Sequence, residues 1–306
     1  MKDWKEGRHK VWCGKSGEKC IDYEIRDAED GKGLGLFTLR DFERGEKILV
    51  ERAVATGCVA TQPAGGILGL RIDASKLHES ATLMKAAMAL APAGTSSLEM
   101  KFVVNCASLG DADGDDDSAG LFLNFSRVNH DCIGNSNHYY DPALKLKLLV
   151  ANHAIPAGSE VTFSYASTVS PLERAMRLHV RGFKCDCLAC RDPAIGAELG
   201  RAHQLDESIL QLGSMGNAAQ AIRAGELLIK IYDKFQESDR VYARTYYDLY
   251  QIAITKKSSV KLGSKYIRLA YTHAQRFYGR EEAEEVRKYK NFVDNPSSHR
   301  NYRVID

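Results

Sequence analysis

Three closely spaced cysteines form the densest group of reactive side chains in the sequence. In the segment FKCDCLAC, Cys185, Cys187 and Cys190 follow a C-x-C-x-x-C pattern. Thiolates at this spacing are typical zinc ligands, and a structural zinc site takes four ligands in a tetrahedron. The segment supplies three of them, so we expect a distant cysteine to complete a metal site. Surface or redox-active thiols are the alternative interpretation.

A second segment, RVNHDCIGNSNHYYD at 127–141, combines an isolated thiol with many short polar side chains. Cys132 has no cysteine near it in sequence, so it is either an idle thiol or half of a site completed elsewhere. It is preceded by the pair Asn129 and His130. Taken alone, His130 is better interpreted as a hydrogen-bonded core histidine than as a functional group, so its role depends on the surrounding motif.

The composition limits the class of protein. Of 306 residues, 44% are hydrophobic and 27% charged, and the net charge is +2. This balance is typical of a globular protein, and it gives no electrostatic basis for binding nucleic acid or an anionic membrane. No apolar stretch of about 18 residues or more predicts a membrane span. Because MKDWKEGRHK is too charged for a signal peptide, we expect an intracellular protein, in the cytoplasm, the nucleus or both.

The elements that position these residues change in type along the chain. Glycine-punctuated short strands are predicted over 21–54, and alternating apolar residues predict strands at 144–150 and 160–165. Residues 57–70 are glycine-rich and are interpreted as a loop, whereas 75–90 has the composition of a helix.

Beyond residue 193 the pattern becomes helical. Segments such as AIRAGELLIKIYDKF place small and aromatic residues at helical spacing, which favours helix-on-helix packing over a cofactor site. The alternation is similar to a tetratricopeptide array, although no clean 34-residue period is visible. The sequence therefore predicts an α+β protein, with a β-rich body followed by a helical C-terminal region.

Two other segments have residues that bind ions in other proteins. DADGDDD at 111–117 imitates a calcium loop but has Asp116 where the sixth position requires glycine, so a solvated acidic loop is the better interpretation. Cys13 and Cys20, with His9 nearby, are either a second metal site or ordinary free thiols.

Four segments in one order carry a family resemblance: DGKGLGLFTLRDFERGEKILVE, NFSRVNHDCIGN, PAGSEVTFSYAS and RGFKCDCLAC. Together they resemble the SET-domain methyltransferases, most closely the fungal-type group that is similar to SET-and-MYND proteins. No cysteine-rich MYND module is seen between 55 and 120. The resemblance implies a β-rich SET fold with pseudoknot-like threading, a post-SET zinc site and a tetratricopeptide-like helical region. The implied boundaries are an N-terminal segment 1–20, a SET domain 21–165 with an insert at about 55–120, a post-SET segment 166–193 and a helical domain 194–306.

The resemblance also supplies the missing zinc ligand. In this family the cysteine of the Asn-His-x-Cys motif completes the post-SET site, which here implies a structural zinc ion bound by Cys132, Cys185, Cys187 and Cys190. Four sulfur ligands would leave no open position for a substrate.

The cofactor implied by the family is S-adenosylmethionine, with S-adenosylhomocysteine as product. Its methionine end would lie against the glycine-containing first motif, and its adenine against the Asn-His pair and an aromatic residue. The matching positions are Lys32, Gly33, Leu34, Asn105, Ser126, Asn129, His130, Tyr165 and Phe183.

Tyr165 stands at the position of the family's catalytic tyrosine. A lysine amine has a pKa of about 10.4 and must lose its proton before it attacks the methyl group. The resemblance implies that the tyrosine hydroxyl orients this amine. Tyr139 and Tyr140 would line the lysine channel or simply pack in a strand.

Several departures from the family pattern are present. Asp131 and Gly134 stand where serine and proline are usual, and Asn152 and His153 replace an arginine-aspartate pair. None removes a catalytic group, so the sequence predicts a methyltransferase acting on a lysine side chain of a protein partner. Three alternatives stay open: a SET-fold enzyme for a small-molecule amine, a non-catalytic binding module, and a zinc-stabilised structural scaffold.

Overall fold

A computed structural model describes residues 22–28, 32–61, 67–110, 118–166, 171–180 and 183–302. The chain divides into two compact units: Met1–Asn129 with His138–Thr162, and His130–Asn137 with Phe163–Asp306. The candidate ion sites at residues 9–20 and 111–117 lie outside the described residues. The domain boundaries proposed from the sequence stay predictions.

Short strands dominate the part of the chain before residue 166. They are β1 Tyr23–Ala28, β2 Gly33–Thr38, β3 Lys47–Glu51, β4 Ala55–Thr61, β5 Ile67–Asp73, β6 Ala107–Ser108, β7 Ser118–Leu121, β8 Asn129–His130, β9 Ser136–Asp141, β10 Leu146–Ala151 and β11 Glu160–Phe163. Within the described residues these strands form three sheets, with strand orders β1-β2-β11-β8, β3-β10-β9 and β5-β4-β7-β6. The short strands predicted within 21–54 are confirmed as β1, β2 and β3, and those predicted at 144–150 and 160–165 are confirmed as β10 and β11.

The third sheet packs with three helices, α1 Ser75–His78, α2 Ala81–Met88 and α3 Leu98–Asn105. Their shared core contains Leu77, Leu90, Phe102 and Leu121, none of which is more than 1% exposed. The single helix predicted over 75–90 is two helices, because the Ser80 hydroxyl accepts the Leu83 amide and starts a new helix.

The loop predicted over 57–70 is wrong, because most of this segment forms the antiparallel strands β4 and β5. Gly57 shows the reason. A Cβ atom there would lie 2.3 Å from the Arg71 carbonyl oxygen and 2.9 Å from the Phe102 ring. This glycine is required by close packing inside a sheet and not by a turn, which composition alone cannot distinguish.

The second unit is mainly helical. Its helices are α4 Pro171–Val180, α5 Leu188–Arg191, α6 Pro193–Ser214, α7 Ala218–Phe235, α8 Asp239–Ala253, α9 Val260–Tyr278 and α10 Glu284–Asp294. From α6 to α10, each helix packs against the next. One buried cluster contains Ile209, Leu228, Tyr232 and Tyr242. The prediction that aromatic residues at helical spacing pack helix against helix is therefore confirmed. Tetratricopeptide geometry stays a prediction.

Helix α6 has a well-defined start. Asp192 accepts hydrogen bonds from the amides of Ala194 and Ile195, and Pro193 occupies the first helical position. Across the described ranges, no helix combines the length and the apolar character that crossing a bilayer requires.

Candidate functional site

Four cysteines of the second unit lie close together, and they are the four that the family resemblance implies as zinc ligands. The sulfur of Cys132 lies 4.0 Å from that of Cys185 and 3.6 Å from that of Cys190. With Cys187 included, all four sulfur atoms lie within 4.8 Å of one another. A tetrahedral zinc-thiolate site, with bonds of about 2.3 Å, places its sulfur atoms roughly 3.8 Å apart. The group, called here the four-cysteine cluster, is therefore compact enough to hold one metal ion.

The electrostatics of the four-cysteine cluster place negative charge on one sulfur, that of Cys187, and keep the thiols of Cys132 and Cys185 protonated. Hydrogen bonding between Cys132 and Cys187 raises the pKa of the Cys132 thiol and lowers the pKa of Cys187 to about 4. Burial raises the pKa of Cys185 to about 12. The buried Arg174 guanidinium favours the thiolate of Cys132. A cation in this position would replace the shared thiol protons.

His130 lies directly beside this cluster. Its Nε2 atom is 3.4 Å from the Cys132 sulfur, and its Nδ1 atom accepts the backbone amide of Tyr165 at 3.0 Å. The imidazole is 7% exposed. Ring centroids lie 5.1 Å apart for His130 and Tyr165, 5.9 Å for His130 and Phe183, and 6.2 Å for Tyr165 and Phe183. Three residues predicted to contact the cofactor thus form one aromatic group in the second unit.

The first unit brings together a different part of the predicted site. The Asn129 amide donates to a Glu160 carboxylate oxygen at 2.7 Å and approaches the Leu34 carbonyl oxygen at 3.4 Å. Gly35 leaves room for this pair, since a Cβ there would lie 2.7 Å from Glu160 Oε1 and 3.1 Å from Asn129 Nδ2. The three predicted residues at the start of β2 are exposed: Lys32, Gly33 and Leu34.

Asn105 and Ser126 also lie together, but their hydrogen-bond donors are directed at the protein backbone. Asn105 Nδ2 donates to the carbonyl oxygens of Ala91 and Lys101 at 2.6 and 2.8 Å. The Ser126 hydroxyl approaches the carbonyl oxygens of Asn105 and Phe122 at 3.2 and 2.5 Å. These contacts stabilise the segment that leads to Asn129. A contact of either residue with a cofactor stays a prediction.

Sequence reasoning missed Glu51, at the end of β3. Its two carboxylate oxygens accept the amides of Asn124 and Phe125, each at 2.9 Å. Burial raises the pKa of Glu51 to about 7, although these hydrogen bonds act in the opposite direction. Glu51 holds the chain shortly before Asn129. The available signal was alternation, because Glu51 is two residues beyond the buried Leu49 and so points to the same face.

Arg174 was also missed, since a charged residue in a helix is usually solvated.

Of the two candidate channel tyrosines, Tyr139 is 4% exposed within β9, as strand packing requires, and Tyr140 is half-buried.

Residues 33–166 match the family model of the SET domain. This range contains the Leu34–Asn129 contact and ends one residue after Tyr165. Residues 33–166 are therefore similar to a SET domain, and the resemblance of the chain to the SET-domain methyltransferase family is confirmed.

Several curated proteins are similar to parts of this chain. The histone-lysine N-methyltransferase set5 of Schizosaccharomyces pombe is 38% identical over 78 residues, which are 25% of this chain and 24% of that protein. Isoform B of the SET domain-containing protein SmydA-8 of Drosophila melanogaster is 37% identical over 75 residues, or 24% of this chain and 16% of that protein. A methyltransferase of Gibberella zeae is 25% identical over 271 residues, covering 68% of this chain and 37% of that protein. The chain spans well under half the length of each relative.

Proposed function

We propose that this protein is an S-adenosylmethionine-dependent methyltransferase that modifies the ε-amine of a lysine in a partner protein. The observation that carries the proposal is the group formed by His130, Tyr165 and Phe183 in a chain whose residues 33–166 match the SET domain. Methylation of lysine is the activity in the name of the S. pombe relative, and it is transferred here only as a hypothesis.

The residues present suit such a cofactor. Phe183 is a half-buried aromatic ring, which offers a stacking surface to an adenine. The exposed backbone at Gly33 lies where no side chain of its own blocks approach, as an amino-acid tail requires. Each of these features supports the proposal within its own unit.

Bound S-adenosylmethionine would supply a methyl group activated by a sulfonium. Tyr165 would orient the lysine amine through its hydroxyl, so that the nitrogen lone pair points along the bond to be broken. The amine must first release a proton to water, because its ordinary pKa is about 10.4. Carbon-nitrogen bond formation and carbon-sulfur cleavage then leave S-adenosylhomocysteine and a methylated lysine.

The four-cysteine cluster would hold a structural zinc ion in this proposal. Four thiolates complete a tetrahedron, so the metal would have no open position and no part in the methyl transfer. Its contribution would be to stabilise the segments around Cys132 and Cys185–Cys190.

The test is calorimetric titration of the zinc-loaded protein with S-adenosylmethionine, followed by transfer of labelled methyl to core histones and to a cell extract. We expect Tyr165→Phe to bind the cofactor within about threefold of the native affinity but to transfer methyl about 100-fold more slowly. Tyr271→Phe, in α9, is the matched control and should transfer at the native rate. Absence of cofactor binding by folded protein would exclude the methyltransferase function.

The same assay separates the alternative substrates. Label in the protein fraction supports a protein lysine, and label only in the low-mass fraction would indicate a small-molecule amine instead. Cofactor binding without any transfer would favour a non-catalytic binding module.

A further inference from the structure

One imidazole touches both the four-cysteine cluster and the backbone of Tyr165. His130 Nε2 lies 3.4 Å from the Cys132 sulfur, while Nδ1 lies 3.0 Å from the Tyr165 backbone nitrogen. The ring is 7% exposed, so both contacts are largely screened from water. All of these groups belong to the second unit.

The contact with Tyr165 determines which ring nitrogen carries the proton. A backbone N–H can only donate, so Nδ1 must present its lone pair to Tyr165. A neutral imidazole then carries its hydrogen on Nε2, which is the nitrogen that faces the Cys132 sulfur. The geometry therefore makes Nε2–H a donor to that sulfur.

We propose that His130 is a positioning residue that couples metal binding in the four-cysteine cluster to the backbone conformation at Tyr165. The inference rests on the proposed function for the roles of the metal and of Tyr165. It assigns to the His130 side chain a role beyond contact with the adenine.

The charge of the cluster explains why the contact between His130 Nε2 and the Cys132 sulfur matters. A divalent ion with four thiolates carries excess negative charge, and partial burial makes that charge costly. The Nε2–H group offsets it at Cys132, as does the buried Arg174 guanidinium near the same sulfur. Donors of this kind around metal ligands typically change metal affinity by about 10- to 100-fold.

The contact between His130 Nδ1 and the Tyr165 backbone amide is equally well defined. The Asp131 amide donates to the Phe163 carbonyl oxygen at 3.3 Å, next to the bond from the Tyr165 amide to His130. The segments 130–132 and 163–165 are thus joined at two successive points. A metal that holds Cys132 would hold His130 and, through Nδ1, the start of the residue that carries the proposed catalytic hydroxyl.

Two substitutions separate the two ends of this coupling. His130→Asn keeps an acceptor near the position of Nδ1 and loses the donor to sulfur. His130→Gln keeps a donor near the position of Nε2 and loses the acceptor for Tyr165. The readouts are the dissociation rate of Co²⁺ or Zn²⁺ into a chelator, the cobalt-thiolate absorption band, and hydrogen exchange of the Tyr165 amide in ¹⁵N-tyrosine-labelled protein.

In the asparagine variant we expect metal release about tenfold faster and a shifted cobalt-thiolate band, with exchange at Tyr165 close to native. In the glutamine variant we expect native metal retention and about tenfold faster exchange at Tyr165. In the native protein, metal removal should accelerate exchange at Tyr165 by at least tenfold. This last measurement decides the matter if a variant fails to fold by circular dichroism.

Equal metal release in both variants, or exchange at Tyr165 that is insensitive to metal, would overturn the coupling. None of these readouts needs methyl transfer. A protein that fails to bind S-adenosylmethionine would refute the proposed function while leaving the coupling between metal and Tyr165 measurable.

Discussion

The polar residues of the first unit and the sulfur atoms of the second unit reach their positions by different means. Asn129 and Glu160 form a 2.7 Å hydrogen bond beside Gly35, and Glu51 accepts hydrogen bonds from the backbone amides of Asn124 and Phe125. In contrast, thiols are weak hydrogen-bonding groups, and the four-cysteine cluster contains one exposed and two half-buried cysteines. Protein hydrogen bonds order the first set, whereas the second set would become rigid through the zinc ion proposed above.

This difference implies that metal dependence is local. A metal bound to folded protein but not to the unfolded chain stabilises the fold by its binding free energy. That stabilisation should appear around Cys132 and 183–191, and strands β1 and β2, the second of which contains Gly35, should keep their structure without metal. The predictions below test this comparison from the largest effect to the smallest.

The largest effect is expected for Cys132→Ser. Serine cannot replace a thiolate ligand, so bound zinc should fall from about one ion per chain to a small fraction of that value. Loss of a structural metal is expected to cost on the order of 4 kcal/mol or more in the unfolding free energy of the second unit. Metal analysis and chemical denaturation measure both quantities.

Cys58→Ser is the matched control, since Cys58 lies in β4 outside the four-cysteine cluster. It should keep its zinc and most of its stability. Equal zinc loss in the two variants would mean that the cluster is not the metal site.

The next effect concerns Glu51 and pH. Its pKa rises from an ordinary 4.5 to about 7 because it is buried. Between these values the folded protein keeps a proton that the unfolded chain has released. The contribution of Glu51 to stability is therefore present below pH 4.5 and is lost as pH rises through 7, by about 3 kcal/mol.

Glu51→Gln isolates this contribution because glutamine does not titrate. Unfolding free energies of both proteins should be measured from pH 4 to 8. The difference in unfolding free energy between the native protein and the variant should decrease with rising pH. Two titratable residues lie near Glu51: Tyr23, and Lys147, which is opposite Glu51 in the register of β3 and β10. Parallel curves would show that the Glu51 carboxyl has an ordinary pKa.

Much of the fold could be predicted because its signals are local. The strand β3 and the long helices α7 and α9 have regular apolar spacing. The segment 57–70 could not be predicted, since Gly57 reflects the approach of Phe102 and Arg71, which are distant in sequence. Propensity contains no information about such a partner.

Some residues of the candidate site could likewise be predicted from the sequence, and others could not. The convergence of Cys132 with Cys185–Cys190 could be predicted, because a structural zinc site needs a fourth ligand beyond the three in this segment and the family resemblance supplies it. The contacts of Glu51 and Arg174 did not, because a charged residue at a strand end or in a helix is usually solvated. The second role of His130 was also out of reach, since it depends on which ring nitrogen faces Tyr165.

The smallest effect is expected for Gly35→Ala in β2. The added methyl group would lie 2.7 Å from Glu160 Oε1 and 3.1 Å from Asn129 Nδ2, which are ends of flexible side chains that can move aside. It would also lie 3.1 Å from the Phe37 ring, which has to shift by a few tenths of an ångström. The cost should therefore be about 1 to 2 kcal/mol, at the low end for overpacking. Gly69→Ala in β5, where no neighbour lies within 4 Å of the new atom, should stay within about 0.5 kcal/mol of native. If Asn129 contacts the cofactor as the family resemblance implies, Gly35→Ala should also weaken S-adenosylmethionine binding by about tenfold at unchanged zinc content. Loss of zinc in Gly35→Ala would contradict the local metal dependence argued above, because the displaced residues belong to the set that hydrogen bonds order.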